Sequence, residues 1–279
     1  MNSATKLIKK LSESSTQIVV IGDVMLDHWV SGELTDCQDR CKKFIEKSMV
    51  SVPGGAGNAA RSISNWDVLV TLCGGGNRPE KYRFVSDDEL LFRWDREVYD
   101  ESVDQETIDC TMGMVAVADG VLLSDYDKGF LRLEFIREIV DACNRRGIPC
   151  VADAKREPTL YEGAILKGNW DYAIKYRLLF PTPYIITYGA MPPYISGTSI
   201  DIQLPAVSCI NHVGAGDCFS SHLTLALACG FSLEDAATVA HSAGRVYVQH
   251  PHNRPPHPQE IEKDLDSSPV LREDRGCTV

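Results

Sequence analysis

Asn211-His212-Val213-Gly214-Ala215-Gly216-Asp217-Cys218-Phe219 sets a glycine-rich turn with one carboxylate directly before an apolar helical pattern. Phe219, Leu223, Ala226 and Leu227 recur at helical spacing and Gly230 closes the run, which predicts a helix beginning near Gly216. The first amides of a helix lack intrahelical acceptors, and small residues leave them accessible, so such a start suits an anion. Asp217 falls in the first turn, where the helix field favours its ionised form. A carboxylate beside a bound phosphate can take the proton of an incoming hydroxyl, as phosphoryl transfer to an alcohol requires. A plain glycine-tightened turn with an Asp cap fits the same nine residues, so the rest of the chain has to decide.

Working outward, several β-branched runs end in polar or charged residues. Gln17 to Asp23 (QIVVIGD) ends in Gly-Asp, with Asp27 four residues later. Gly120 to Tyr126 ends in Ser-Asp-Tyr with Lys128 just beyond, and Ile148 to Asp153 ends in an acid followed by Lys155. Helical patterns over Gln105 to Ala118 and Phe130 to Arg146 alternate with them, and Asp67 to Cys73 and Ile185 to Tyr188 read as further strands. That alternation predicts an α/β fold, a mostly parallel sheet flanked by helices with its site at the carboxyl ends of the strands. Trp29 to Val52 and the hairpin pattern Tyr82 to Val85 with Glu89 to Trp94 suit a small β lid, at about 28–52 and 80–96 of a single domain. Between them, Pro53-Gly54-Gly55-Ala56-Gly57-Asn58 opens a helix. Its glycines allow close backbone approach to a ligand, and Asn58 either offers a donor and an acceptor to a polyol or merely caps the helix. Ser199 to Leu204 is a short alternating run. Ser232 caps a later helix with Asp235 three residues on, and residues 264–279 read as a frayed tail.

The chain has 279 residues, 44% of them hydrophobic, enough for a large core. A net charge of −11 argues against a nucleic-acid surface, while a local pocket of Lys and Arg still permits a small anionic substrate. No apolar run is long enough to span a bilayer, and Met1 to Ser15 is a polar, basic helical segment unlike a signal peptide. The ten scattered cysteines are therefore expected to be reduced thiols in a cytoplasmic protein. Cys37 and Cys41 could share one helical face as half a metal site, but no second pair at ligand spacing accompanies them. The histidines among the prolines of 250–258 are expected on a surface loop.

Taken together, Gly22-Asp23-Val24-Met25-Leu26-Asp27, Pro53 to Asn58, Ser124-Asp125-Tyr126-Asp127-Lys128-Gly129, Asp153-Ala154-Lys155 and Gly214-Ala215-Gly216-Asp217 resemble, in order, the motifs of the ribokinase-like (PfkB) sugar kinases. The heptose-7-phosphate kinases of that group are the most similar. The resemblance implies a Rossmann-like sheet with a β lid that doubles as a homodimer surface. It makes Asp217 the catalytic base, with Gly214, Ala215 and Gly216 as the anion hole. It makes Asp23, Asp27, Gly54, Gly55, Asn58, Lys128, Asp153 and Lys155 substrate-binding, with the two lysines toward a phosphate already on the sugar. Asn169, Thr187, Gly189 and His241 would serve the nucleotide. The implied partners are ATP with Mg²⁺ and a sugar phosphate phosphorylated at its anomeric hydroxyl, with no nucleic acid or membrane. Asn211 and Val213 stand where the family has Asp and Thr, Tyr172 where it has Glu, and the chain is shortened after Gly76 and between Asn169 and Ile185. The two rival readings are a non-catalytic sugar-binding homologue and a kinase for another sugar or a nucleoside.

Overall fold

A computed structural model describes residues 3–13, 15–37, 41–75, 78–87, 89–99, 103–177, 183–197 and 205–267. Its first half runs α1 (Ser3–Ser12), β1 (Gln17–Gly22), β2 (Val24–Asp36), β3 (Lys42–Gly55), α2 (Ala56–Ser62), β4 (Leu69–Cys73), β5 (Glu80–Ser86), β6 (Glu89–Arg96) and α3 (Gln105–Val115). There follow β7 (Gly120–Ser124), α4 (Leu133–Arg146), β8 (Cys150–Asp153), β9 (Ile165–Asn169), α5 (Trp170–Tyr176), β10 (Tyr184–Tyr188), β11 (Met191–Ile195), α6 (Ala215–Ala228), α7 (Leu233–Val248) and α8 (Pro258–Asp266).

Seven strands form the main sheet in the order β11-β10-β9-β8-β7-β1-β4, parallel except for the β10–β11 hairpin. The period-two alternation of β1 sorts its side chains between two cores. Ile18 and Val20 join Leu122 and Val151 under α2, α6 and α7, while Val19 and Ile21 join Val121, Leu123 and Ala152 under α4. Strands buried on both faces need apolar residues throughout, which is why QIVVI and GVLL carry no solvent-facing alternation. The second sheet, β3-β2-β5-β6, is made from the two segments expected of the lid. Its registers set Asp27 beside Lys81 and Trp29 beside Arg83 on one face, and Tyr82 beside Trp94 and Phe84 beside Phe92 on the other.

Several expectations are corrected. The helix predicted from Phe130 starts at Leu133, because Asp127 (φ 58°) and Gly129 (φ 106°) turn the chain and deliver Phe130 and Leu131 into the core. Cys37 and Cys41 lie at the tip of the β2–β3 hairpin and form a disulfide, so neither the helical face nor the reduced state holds for this pair. In the 250–258 segment His252 and His257 are exposed as expected and His250 is half-buried, while Asn253, Pro255, Pro256 and Pro258 are buried. Residues 264–266 belong to α8, where Asp264 pairs with Arg245 on α7 at 3.0 Å. Residues 199–204 and 268–279 lie outside the described part.

His222 on α6 is fully buried. It accepts a hydrogen bond from Trp66 Nε1 at Nε2 (3.0 Å), so Nδ1 is protonated and donates to the Cys218 carbonyl (2.8 Å). Burial lowers its pKa to about 4 from an ordinary 6.5. The folded pKa is depressed, so between pH 6.5 and 4 the unfolded chain binds the extra proton and stability is lost as the pH falls. We expect this residue to account for about 2 kcal/mol of destabilisation at pH 5. Thermal melts of the wild type and His222→Gln between pH 7.5 and 5 check this: the variant should show the shallower decline.

Candidate active site

The turn that starts α6 is built for glycine. Gly214 sits at φ 84°, and a Cβ there would stand 2.3 Å from Asn58 Nδ2 and 2.5 Å from the Tyr247 hydroxyl. Ala215 N–H bonds the His212 carbonyl and Cys218 N–H bonds the Gly214 carbonyl. Among the described residues, the amides of Gly216 and Asp217 between them have no backbone acceptor. Asp217 itself is buried. Its Oδ2 accepts from Asn58 Nδ2 (2.9 Å) and its Oδ1 from the Tyr126 hydroxyl (2.6 Å), so α2 and the loop after β7 both aim this carboxylate. Burial and then the neighbouring Asp153 raise its pKa, the bonds from Tyr126 and Asn58 and the charge of Lys155 pull it back, and it rests at about 6.

Beneath this turn lies a second buried carboxylate. Asp153, at the end of β8, accepts from Lys167 Nζ (2.9 Å) and Ser220 Oγ (2.9 Å) at Oδ2 and from Lys155 Nζ (3.3 Å) at Oδ1. Burial pushes this carboxyl up, but the two ammonium groups outweigh burial and hold it at about 2. Lys167 was missed in the sequence, although a lysine inside the apolar strand Ile165-Leu166-Lys167 was the signal that could have found it. Tyr126 was noted as a polar strand end and as part of the Ser124–Gly129 motif, with no role of its own. Its role depends on α6 arriving above it.

The other expected ligands divide. Asp23 spends its carboxylate on the main-chain amides of Tyr126 (2.8 Å), Lys128 (3.1 Å) and Phe130 (3.2 Å), so it shapes the 126–130 loop and is not free for a ligand. Asn58, expected to face a polyol, is engaged with Asp217, the Gly214 carbonyl (3.3 Å) and the Tyr247 hydroxyl (3.2 Å), which makes it the residue that orients Asp217. Asp27 forms a buried pair with Arg83 at 2.6 Å. Gly54 is required there, since a Cβ would meet Asp27 Oδ2 at 2.6 Å, and Gly55 at φ 57° would bring one within 2.4 Å of the Asp23 carbonyl. Lys155 lies over the Tyr126 ring at 5.1 Å and Lys81, from β5, lies over it at 5.6 Å. Lys128 turns aside to Glu97 at 2.7 Å. Asp217, Asp153, Lys155, Lys81, Tyr126 and Asn58 thus share one locality, with Asp27 and Arg83 on the small-sheet face that carries Lys81.

The nucleotide-side residues are not brought to this cluster. Asn169 caps α5 through Tyr172 N–H (2.9 Å), and Thr187 Oγ1 donates to the Gly168 carbonyl (3.3 Å). Gly189 turns β10 into β11 at φ 50° with open space around it. These three line the carboxyl edge of β9 and β10, whereas His241 is buried in α7 beside Arg245 and Asp264, its pKa lowered by burial to about 4. Among the described residues no group of three or more His, Cys, Asp and Glu side chains is arranged to hold a metal ion. Asn211 carries no charge and spends its amide on Asn253 (3.0 Å) and the Val213 N–H (2.9 Å). The described residues thus form no all-protein magnesium cage, and magnesium ordinarily binds through one or two carboxylates together with substrate phosphates. No helix among the described residues is long and apolar enough to cross a membrane.

The family model "pfkB family carbohydrate kinase" matches residues 178–260, the segment that carries the Gly214–Asp217 turn, α6 and α7. The bifunctional protein HldE of Caulobacter vibrioides is 28% identical over 291 aligned positions, covering 83% of this chain and 59% of that protein. HldE of Rhodopseudomonas palustris strain BisA53 is 33% identical over 187 positions, 53% of this chain and 38% of its own length. The chain thus spans about three fifths of the length of the first of these relatives. Among solved structures, Arabidopsis thaliana ribokinase complexed with ribose and ATP aligns with a TM-score of 0.66 at 16% identity, over 90% of this chain and 99% of that one. Escherichia coli phosphofructokinase-2 in complex with fructose-6-phosphate aligns with a TM-score of 0.67, also at 16%, over 91% and 99%. Those likenesses show the shared fold. With the family match over residues 178–260 and the HldE relatives along most of the chain, they show that this chain, with its glycine-started helix and buried carboxylate, is similar to the PfkB carbohydrate kinases.

Proposed function

We propose that the chain is an ATP-dependent sugar kinase acting on a sugar that already bears a phosphate, D-glycero-D-manno-heptose 7-phosphate or a close analogue, at its anomeric hydroxyl. The observation that carries this is the Asp217 carboxylate, held near a pKa of 6 beside the amides of Gly216 and Asp217, which have no backbone acceptor among the described residues. Above that pH it is ionised and can accept the sugar hydroxyl's proton, while the amides of Gly216 and Asp217 stabilise charge on the incoming phosphoryl group. Asn58 and Tyr126 keep the carboxylate aimed through the transfer. Tyr126 remains a neutral donor, because burial and then the nearby Asp217 raise its pKa well above the ordinary value. The nucleotide would lie along the carboxyl edge of β9 and β10, near Asn169, Thr187 and Gly189, bringing magnesium as its own complex.

The small sheet is the lid in this reading. Its inner face offers Asp27 for a sugar hydroxyl and Lys81, which with Lys155 supports recognition of the phosphate already on the sugar. Its outer face carries the Tyr82–Trp94 stack (4.9 Å) and the Phe84–Phe92 stack (4.4 Å), with Trp94, Phe92, Met49 and Leu34 each at least 41% exposed. Such a patch favours a homodimer through the lids.

The test is ADP release with ATP and a panel of heptose 7-phosphate, ribose, fructose 6-phosphate and adenosine, with the heptose phosphate expected to be the best acceptor. Asp217→Asn should lower turnover on the order of a thousandfold while sugar binding, read by calorimetry, is kept. In Tyr126→Phe the acid limb of the rate profile should move to higher pH, since a bond that lowers the Asp217 pKa is gone. Lys81→Met should raise KM for a phosphorylated sugar on the order of tenfold and leave the unphosphorylated analogue unchanged. Phe92→Lys with Trp94→Lys should convert a dimer to a monomer in sedimentation velocity.

A further inference from the structure

In the loop that follows α7, two consecutive residues other than glycine, His252 and Asn253, take left-handed backbone at φ 53° and 55°. Side chains rarely accept that conformation, and a fold keeps it only where the surroundings over-determine it. Here Arg61 on α2 bonds the Asn253 carbonyl at 3.4 Å, Asn65 reaches the carbonyls of Pro255 (3.3 Å) and Pro256 (3.2 Å), and Arg254 N–H bonds the Pro251 carbonyl at 3.3 Å. The two side chains of the turn serve different neighbours. Asn253, 1% exposed, accepts from Asn211 Nδ2 at 3.0 Å, and Asn211 Oδ1 accepts from Val213 N–H at 2.9 Å, one residue before the glycine that starts the α6 turn. The exposed His252 sets the edge of its ring against Trp29 of the small sheet, with centroids 6.0 Å apart at 77°. Trp29 follows Asp27 by two residues on β2, which puts both on one face. Arg83 links them, bonding Asp27 at 2.6 Å and lying over the Trp29 ring at 5.2 Å. Trp29 Nε1 is buried without a hydrogen-bond partner, so ring contacts place this indole.

We propose that the His252–Asn253 turn is a latch between the small sheet and the Gly214–Asp217 turn, and that Trp29, His252 and Asn253 are positioning residues for Asp217. Seating Trp29 on His252 fixes the 252–253 turn. Asn253 then fixes Asn211, and Asn211 holds the Val213 amide from which the Gly214 turn departs. The left-handed backbone lets two adjacent side chains reach the lid and the start of α6 at once. A lid lifted from His252 releases this series at its outer end, so the amides of Gly216 and Asp217 and the Asp217 carboxylate come into register when the lid is seated. A sugar hydroxyl taken by Asp27 acts on the same series through Arg83 and Trp29. None of the three residues touches a reacting atom. The inference rests on the kinase reading for what the turn does, and its first readout needs no turnover.

His252→Gly suits the left-handed backbone and removes the ring of an exposed residue, so it should melt no lower than the wild type. With 5-fluorotryptophan incorporated, the Trp29 fluorine signal, identified as the one missing from Trp29→Phe, should shift in His252→Gly. The backbone amide signals of Val213, Gly214 and Gly216 should shift in that variant and in Trp29→Ala. If those amides stay in place in both, the proposal is overturned. Asn253→Gly keeps the turn but removes the acceptor for Asn211, and it should move the same amides. Asn253→Asp keeps an acceptor oxygen and should return them towards their wild-type positions, whereas identical spectra for the two variants overturn the role of Asn253. In turnover with ATP and heptose 7-phosphate, His252→Gly should lower kcat on the order of tenfold and leave KM for ATP unchanged. An unchanged kcat also overturns the proposal. If the amides respond as expected but the wild type phosphorylates no sugar, the kinase reading fails and the latch stands.

Discussion

The constraint on which the molecule depends is the aiming of one buried carboxylate by two neutral donors from elsewhere in the chain. Asp217 cannot be solvated, so its lone pairs must be met from inside the fold, and Asn58 and Tyr126 meet them from α2 and from the loop after β7. Each donor is fixed in turn. Tyr247 on α7 and the Gly214 carbonyl hold the Asn58 amide, and the three amides gathered by Asp23 hold the loop that carries Tyr126. A single carboxylate thus ties β1, α2, β7, α6 and α7 together, and the packing of the core and the geometry of the site are one problem.

Electrostatics set the division of labour between the buried acids. Asp153 and Asp217 both lie under α6, yet Asp153 sits at about 2 between two ammonium groups while Asp217 rests at about 6 with only neutral donors in contact. The first is a permanent anion that anchors cations, and the second can gain and lose a proton near neutrality. Different environments have separated two like groups, one held ionised and one that titrates near neutrality. The ion pairs Asp27–Arg83 and Asp125–Arg156 fix strands and loops elsewhere in the fold.

Much of this was legible in the sequence. The strands ending in Gly22-Asp23, Ser124 and Asp153 and the glycine start of α6 were readable because burial on both faces of a parallel sheet forces apolar runs, and because a left-handed helix start demands glycine. What misled were residues whose partners are remote. Asp23 and Asn58 were read as sugar ligands from their motifs, but their polar atoms are engaged by groups about 100 residues or more away. Phe130 and Leu131 carried helical spacing and were pulled into the core ahead of the helix. Cys37 and Cys41 form a disulfide only because the β2–β3 hairpin brings its two ends together.

The amino-acid pattern alone determined the layer architecture, the small second sheet's two segments and the place of Asp217 at a helix start. Those features follow from local spacing, and hydrophobic period and glycine geometry are written residue by residue. Which donors hold Asp217, that Lys167 rather than Lys128 lies beneath it, and that Lys81 faces Tyr126 were decided only by the tertiary structure. The physical reason is range: a buried charge takes its pKa and its role from whatever lies within about 4 to 6 Å. Here those neighbours come from strands and helices that are distant in the chain and adjacent only after the sheet has closed.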